Sequence, residues 1–84
     1  MIKLLYFAKL REDLGTASEQ LALPTEVTTV AGLRAHLVGR GGAWASALAA
    51  GRAVRVAVNQ EMAQPTTALK PGDEVAFFPP VTGG

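Results

Sequence analysis

The chain opens on an alternation. From Ile2 to Ala8, the residues Ile2, Leu4 and Tyr6 fall on one side of an extended segment and Lys3, Leu5 and Phe7 on the other. The segment reads as a strand, with Lys3 marking its wetter face. Leu10 to Gly15 reads as a short helical turn closed by glycine. Ser18 to Leu23 alternates again, with Leu21 and Leu23 on one face and Pro24 as its stop. It is expected to run antiparallel to the first strand. The period then changes. Val30, Leu33 and Leu37 are spaced i, i+3 and i+7, and Val38 widens the stripe. This predicts a helix capped by Thr28 or Thr29 and ended by Gly39, Gly41 and Gly42. Ala43 to Ala50 forms a second short helix around Trp44 and Leu48. Val54, Val56 and Val58 return to strand alternation, and Asn59-Gln60 turns the chain into a short extended piece around Met62. Lys70-Pro71-Gly72-Asp73 has the chemistry of a tight turn, and Glu74 to Phe78 is the last strand.

This order predicts an α+β domain: a mixed sheet with one main helix packed on one face. A right-handed crossover through the helix lets a later strand lie parallel to the first. Residues 1–84 read as one domain without repeat or linker, and residues 79–84 as an extended tail.

Composition narrows the function. The 8 basic and 7 acidic residues nearly cancel, the lysines are only Lys3, Lys9 and Lys70, and the arginines are scattered, so no basic cluster exists. Nucleic-acid binding, which needs clustered positive charge, is set aside. No apolar run approaches the roughly 18–20 residues that cross a bilayer, and no signal-peptide pattern is present. The expectation is a cytoplasmic chain without membrane contact. There is no cysteine, which excludes disulfides, thiolate metal sites and a cysteine nucleophile. No phosphate-binding glycine motif, metal-ligand cluster or plausible triad is present, so the chain is expected to bind no metal or cofactor and not to be catalytic alone.

The chemistry concentrates in Phe77-Phe78-Pro79-Pro80-Val81-Thr82-Gly83-Gly84. Pro79 and Pro80 fix φ and favour an extended path. Gly83 and Gly84 carry no side chains, so their backbone can enter a slot closed to any residue with a Cβ. They also leave the α-carboxylate of Gly84 sterically bare. With no thiol in the chain, that carboxylate is where sulfur or an acyl partner would be carried. Other conspicuous residues have plainer readings. His36 is a helix surface residue, Trp44 anchors the short helix, Asn59 and Gln60 bond within their turn, and Asp73 and Glu74 point to opposite faces.

Ile2-Lys3-Leu4-Leu5-Tyr6-Phe7-Ala8, Leu10-Arg11-Glu12, Val58-Asn59-Gln60 and the whole segment from Gly72 to Gly84 together resemble the small subunit of molybdopterin synthase. The likeness runs from end to end, and Phe-Phe-Pro-Pro-Val before the glycines is its most specific part. It implies a β-grasp, or ubiquitin-like, fold. It also implies that a ubiquitin-activating (E1-like) partner adenylates Gly84 using ATP, and that a sulfur donor converts the acyl-adenylate to a thiocarboxylate. The tail of Pro79, Pro80, Val81, Thr82 and Gly83 then threads into the large synthase subunit. There sulfur passes to a cyclic pyranopterin monophosphate, and two transfers build the dithiolene of molybdopterin. Phe7, Arg11, Met62 and Phe78 match family positions at the contact with the large subunit. By alternation Phe7 and Phe78 also lie on the sheet face the helix leaves open, where large apolar groups mark a partner surface. Three other functions share some of these features: a sulfur carrier for thiamine thiazole synthesis, a protein modifier conjugated through Gly84, and a plain binding module. The Phe-Phe-Pro-Pro stalk favours the molybdopterin branch over the first. The bare glycine end offers the last no side-chain anchor.

Overall fold

The computed structural model describes residues 1–80. In chain order the elements are β1 (Ile2–Tyr6), α1 (Ala8–Leu14), β2 (Ser18–Leu21), α2 (Val30–Val38), α3 (Gly42–Ala47), β3 (Arg55–Val58), β4 (Glu61–Met62) and β5 (Glu74–Phe78). The five strands form one mixed sheet in the order β2-β1-β5-β3-β4. β1 pairs antiparallel with β2, from Ile2 opposite Leu21 to Leu5 opposite Ser18. β1 and β5 run parallel, from Lys3 opposite Glu74 to Tyr6 opposite Phe77. β5 is antiparallel to β3 on its other side. The last strand is therefore the middle of the sheet, as a β-grasp arrangement requires.

The first strand is shorter than its alternation predicts. Pairing stops at Tyr6; Phe7 stays extended as the N-cap of α1, and Ala8 turns the chain with a φ of 54°. Nothing in the side chains of Phe7 or Ala8 signals that turn. α1 ends where expected: Gly15, at a φ of 73°, donates its N–H to the Arg11 carbonyl. β2 likewise stops at Leu21 rather than Leu23.

One face of the sheet is covered. Ile2, Leu4 and Tyr6 of β1, Val56 of β3, and Val75 and Phe77 of β5 pack in one cluster with Val30, Leu33 and Leu37 of α2, joined by Leu10, Ala47, Leu48 and Leu69. Leu33 and Leu37 are fully buried, so the helical stripe faces inward as its spacing demands. The N-terminus of α2 has its free donors satisfied in full. Thr29 Oγ1 accepts from Gly32 N at 3.2 Å, and Leu33 N bonds to the Thr29 carbonyl. The carbonyls of Thr67 and Pro65 take the N–H groups of Val30 and Ala31. The 64–69 segment is thereby tied along the start of the helix, with Thr29 bridged to Ala68. Beyond α3, the Arg34 guanidinium gathers the carbonyls of Leu48, Ala49 and Arg52 at 2.6–2.8 Å. Burial lowers its pKa from the ordinary arginine range. Among the described residues, no helix is long and apolar enough to cross a membrane.

Candidate functional site

The root of the C-terminal tail is fixed by its neighbours on both sides. Phe78 stands opposite Arg55 of β3, and the Phe77 carbonyl accepts the N–H of Phe7 at 3.1 Å. The tail thus leaves the sheet between the start of β3 and the end of β1. Pro79 and Pro80 follow, both half-buried. Neither has an N–H to extend the ladder, so regular pairing has a chemical reason to end at Phe78. Val81, Thr82, Gly83 and Gly84 lie outside the described residues.

Beneath the root sits an aromatic and ionic brace. Tyr6 stacks on Phe77 with ring centroids 5.9 Å apart and meets Trp44 edge-on at 5.4 Å. The Tyr6 hydroxyl donates to Glu19 Oε2 at 2.9 Å. Arg40 grips both oxygens of Glu19 at 2.9 Å and lies 4.4 Å above the Trp44 ring. Hydrogen bonding from Arg40 is the main reason the Glu19 carboxyl is held below its usual range. Burial, reinforced by the Glu19 bond, pushes the Tyr6 phenol above the ordinary tyrosine range, so it remains a donor at any physiological pH. At the far end of β5, Asn59 Nδ2 donates to Asp73 Oδ1 and Asn59 Oδ1 accepts Glu74 N, both at 3.0 Å. Asp73 Oδ2 accepts Lys70 N at 2.8 Å. These bonds, Asn59's first, lower the Asp73 pKa. The central strand is thus anchored at both ends, and the tail departs from a stiff support.

The sheet face opposite α2 carries the sequence-derived contact residues. Leu5, Ala76, Ala57 and Met62 stand in register across four strands. At ~4.8 Å per strand the row is about 14 Å long. Phe7 and Phe78 lie at its tail-root side, beside Arg55. Phe7 is 46% and Met62 60% exposed, while Phe78 is half-buried. The structure therefore places Phe7 and Phe78 together near the root, but Met62 on the edge strand, two strands away from β5. Phe78 is less wet than a fully open face implies. Arg11 belongs to none of these rows. It is exposed in the last turn of α1, and no ion pair among the described residues engages it. Alternation alone does not single out Ala57, Ala76 or Arg55. The two alanines make the floor of the face shallow between the larger side chains, and their role is visible only once the register is known. Among the described residues there is no group of three His, Cys, Asp or Glu placed to hold a metal.

The arrangement presents a chain end from a braced central strand beside an apolar face. Comparison with known proteins agrees with that geometry. Residues 4–84 match the ThiS family. The chain is 46% identical to the molybdopterin synthase sulfur carrier subunit of Escherichia coli (strain K12) over 84 residues, all of both chains. It is 43% identical to the subunit of the same name from Haemophilus influenzae, again over the full length of both. Among solved structures, SAMP1 from Haloferax volcanii superposes with a TM-score of 0.79 at 31% identity, covering 99% of this chain and 98% of that one.

Proposed function

The chain belongs to the ThiS family, and from that premise we propose that it is the sulfur carrier subunit of a molybdopterin synthase, acting in the cytoplasm. The observation that carries this reading is the full-length identity to the two bacterial sulfur carrier subunits. A free carboxylate is a poor electrophile because its negative charge repels nucleophiles. In the proposed cycle the Gly84 carboxylate attacks ATP on an E1-like activating partner, pyrophosphate leaves, and the acyl-adenylate masks that charge. A sulfur donor displaces AMP and leaves a thiocarboxylate. The large synthase subunit then receives the tail, the thiocarboxylate sulfur bonds to a cyclic pyranopterin monophosphate, and water cleaves the acyl–sulfur bond, leaving sulfur on the pterin and restoring the Gly84 carboxylate. ATP and the catalytic groups belong to the partners; this chain supplies the carried sulfur, the tail and the docking face.

Phe7, Phe78 and Met62, with Leu5, Ala57 and Ala76 between them, form that face in our reading, and Arg11 flanks it. The face adjoins the tail root, so a partner seated on it has the tail directed at its own active site. Six tail residues, 79–84, span at most about 20 Å from Phe78. The acceptor's reacting centre must lie within that radius.

A second reading rests on the likeness to SAMP1, a small archaeal modifier protein: Gly84 would be conjugated to amino groups of other proteins. The intact mass of the protein purified from its own cells separates the two. A sulfur-for-oxygen exchange on the C-terminal residue is the expected result. Isopeptide-linked adducts without any thiocarboxylate would support the modifier instead.

A further inference from the structure

The helix-covered side of the sheet is not sealed along its β4 edge. A groove of about 590 Å³ opens between α2 and the strands β3 and β4. Its α2 wall runs from Val30 through Ala31, Arg34 and Ala35 to Val38, and its opposite wall includes Val54, Val56, Met62 and Ala63. The helix supplies small side chains here: Ala31 and Ala35 are exposed and one turn apart, where larger residues would close the gap. From Val30 to Val38 the wall is about 12 Å long at ~1.5 Å per residue. That length accommodates about four residues of extended chain at ~3.3 Å each.

The electrostatics of the groove have one sign. Arg34 and Arg55 are among its lining residues, and none of the described residues lining it is acidic. Among the described residues Arg34 has no carboxylate partner either. Its Nε and Nη2 bond to three backbone carbonyls, and Nη1 stands outside those bonds. The guanidinium is held in a fixed orientation midway along α2 with donor capacity to spare.

We propose that this groove docks a partner protein through an extended apolar segment of about four residues that carries one carboxylate side chain. Apolar side chains fill the space over Ala31 and Ala35, and the carboxylate pairs with Arg34. This site is separate from the open sheet face. It lies on the other side of the sheet, shares only the edge residue Met62 and the strand-end residue Arg55 with that face, and does not depend on the tail. An elongated, open groove walled by exposed alanines fits a peptide better than a compact small molecule, which is usually mostly enclosed.

The test uses the full chain, isotope-labelled for NMR, and two blocked pentapeptides, Val-Ile-Asp-Val-Ile and Val-Ile-Lys-Val-Ile. The aspartate peptide is expected to shift the amides of Ala31, Ala35 and Ala63 in a saturable manner, and to bind at least tenfold more tightly than the lysine peptide. Ala35→Glu, at an exposed position, is expected to keep the wild-type spectrum elsewhere and lose binding at least tenfold. Equal binding of the two peptides would overturn the proposal. So would shifts centred on Phe7 and Phe78, or the absence of saturation at millimolar peptide. Decanoate competing with the aspartate peptide at equal affinity would assign the groove to small amphipathic anions instead. A concentration-dependent dimer abolished by Ala35→Glu would assign it to a second copy of the chain. Either result overturns the proposal.

Discussion

Asn59 and Asp73 are joined side chain to side chain at 3.0 Å, and the same asparagine accepts the N–H of Glu74. Asn59 sits at a φ of 51°, a backbone conformation that asparagine tolerates better than most residues. One residue therefore closes the β3–β4 turn and pins the start of the central strand.

Asn59→Ala should destabilise the protein by about 1–2 kcal/mol at neutral pH, through the lost bonds and the strained φ. The pH dependence has a definite sign. The Asp73 carboxyl is held below its ordinary value in the folded state, first by Asn59. The stability this confers is present above the unfolded value of about 3.9 and lost as pH falls through the folded one. Urea unfolding at pH 7 and pH 3 should show the wild-type advantage over Asn59→Ala shrinking at the lower pH. An equal difference at both values would mean that the carboxylate charge plays no part.

Leu33→Ala should cost about 2–5 kcal/mol, because the side chain is fully buried in the one core cluster and its loss leaves a cavity. The companion change Ala35→Ser, on the exposed side of the same helix, should move stability by less than about 0.5 kcal/mol. Thermal unfolding of both variants reads the contrast.

Phe7→Ala should leave the unfolding midpoint close to wild type and weaken binding to the large synthase subunit by about tenfold to a hundredfold. Phe78→Ala should weaken binding similarly but also lower the midpoint, since Phe78 is already half-buried. Titration calorimetry beside thermal denaturation of each variant separates the two effects. Unchanged binding by both folded variants would move the docking site away from the tail root.

Deleting Gly84, or extending the chain by one residue beyond it, should abolish sulfur transfer while the unfolding midpoint stays within error. Thiocarboxylate formation followed by mass spectrometry is the direct measurement. Full transfer by the extended protein, with the extension shown to be intact, would contradict the carrier chemistry.

Arg40→Ala removes a two-pronged contact to Glu19 and a cation–π contact to Trp44 together. A loss of about 1–2 kcal/mol is expected, falling in high salt because the pair is partly exposed. A salt-independent loss would point to packing over Trp44 as the larger part.

What the sequence discloses follows from how local each cause is. Ile2, Leu4 and Tyr6 declare the buried face of β1, and Val30, Leu33 and Leu37 that of α2, because the period of apolar residues is set by the element itself. Gly15 announces its cap for the same reason, and the pair Thr28-Thr29 that of α2, of which the structure uses Thr29. The open face is legible by alternation at Phe7 and Phe78, and Met62 enters through the family likeness, but Ala57 and Ala76 are not legible. Those positions matter only through strands brought beside them by register. The early end of β1 is invisible because Ala8 has no residue-type signature for positive φ. The Arg34 carbonyl cluster and the Glu19–Arg40 pair join residues 14 to 21 positions apart, and each charge taken alone reads as solvated surface.

The parallel pairing of β1 and β5 also fixes how the molecule bears load. A pull between Met1 and Phe78 drags the two strands past each other along their length, so the bonds from Lys3–Glu74 to Tyr6–Phe77 are strained at once rather than opened in succession. An enzyme that drew the tail into its active site, as proposed above, would meet a tether that resists in shear. Traction on the chain end is carried into the middle of the sheet rather than peeling away an outer strand.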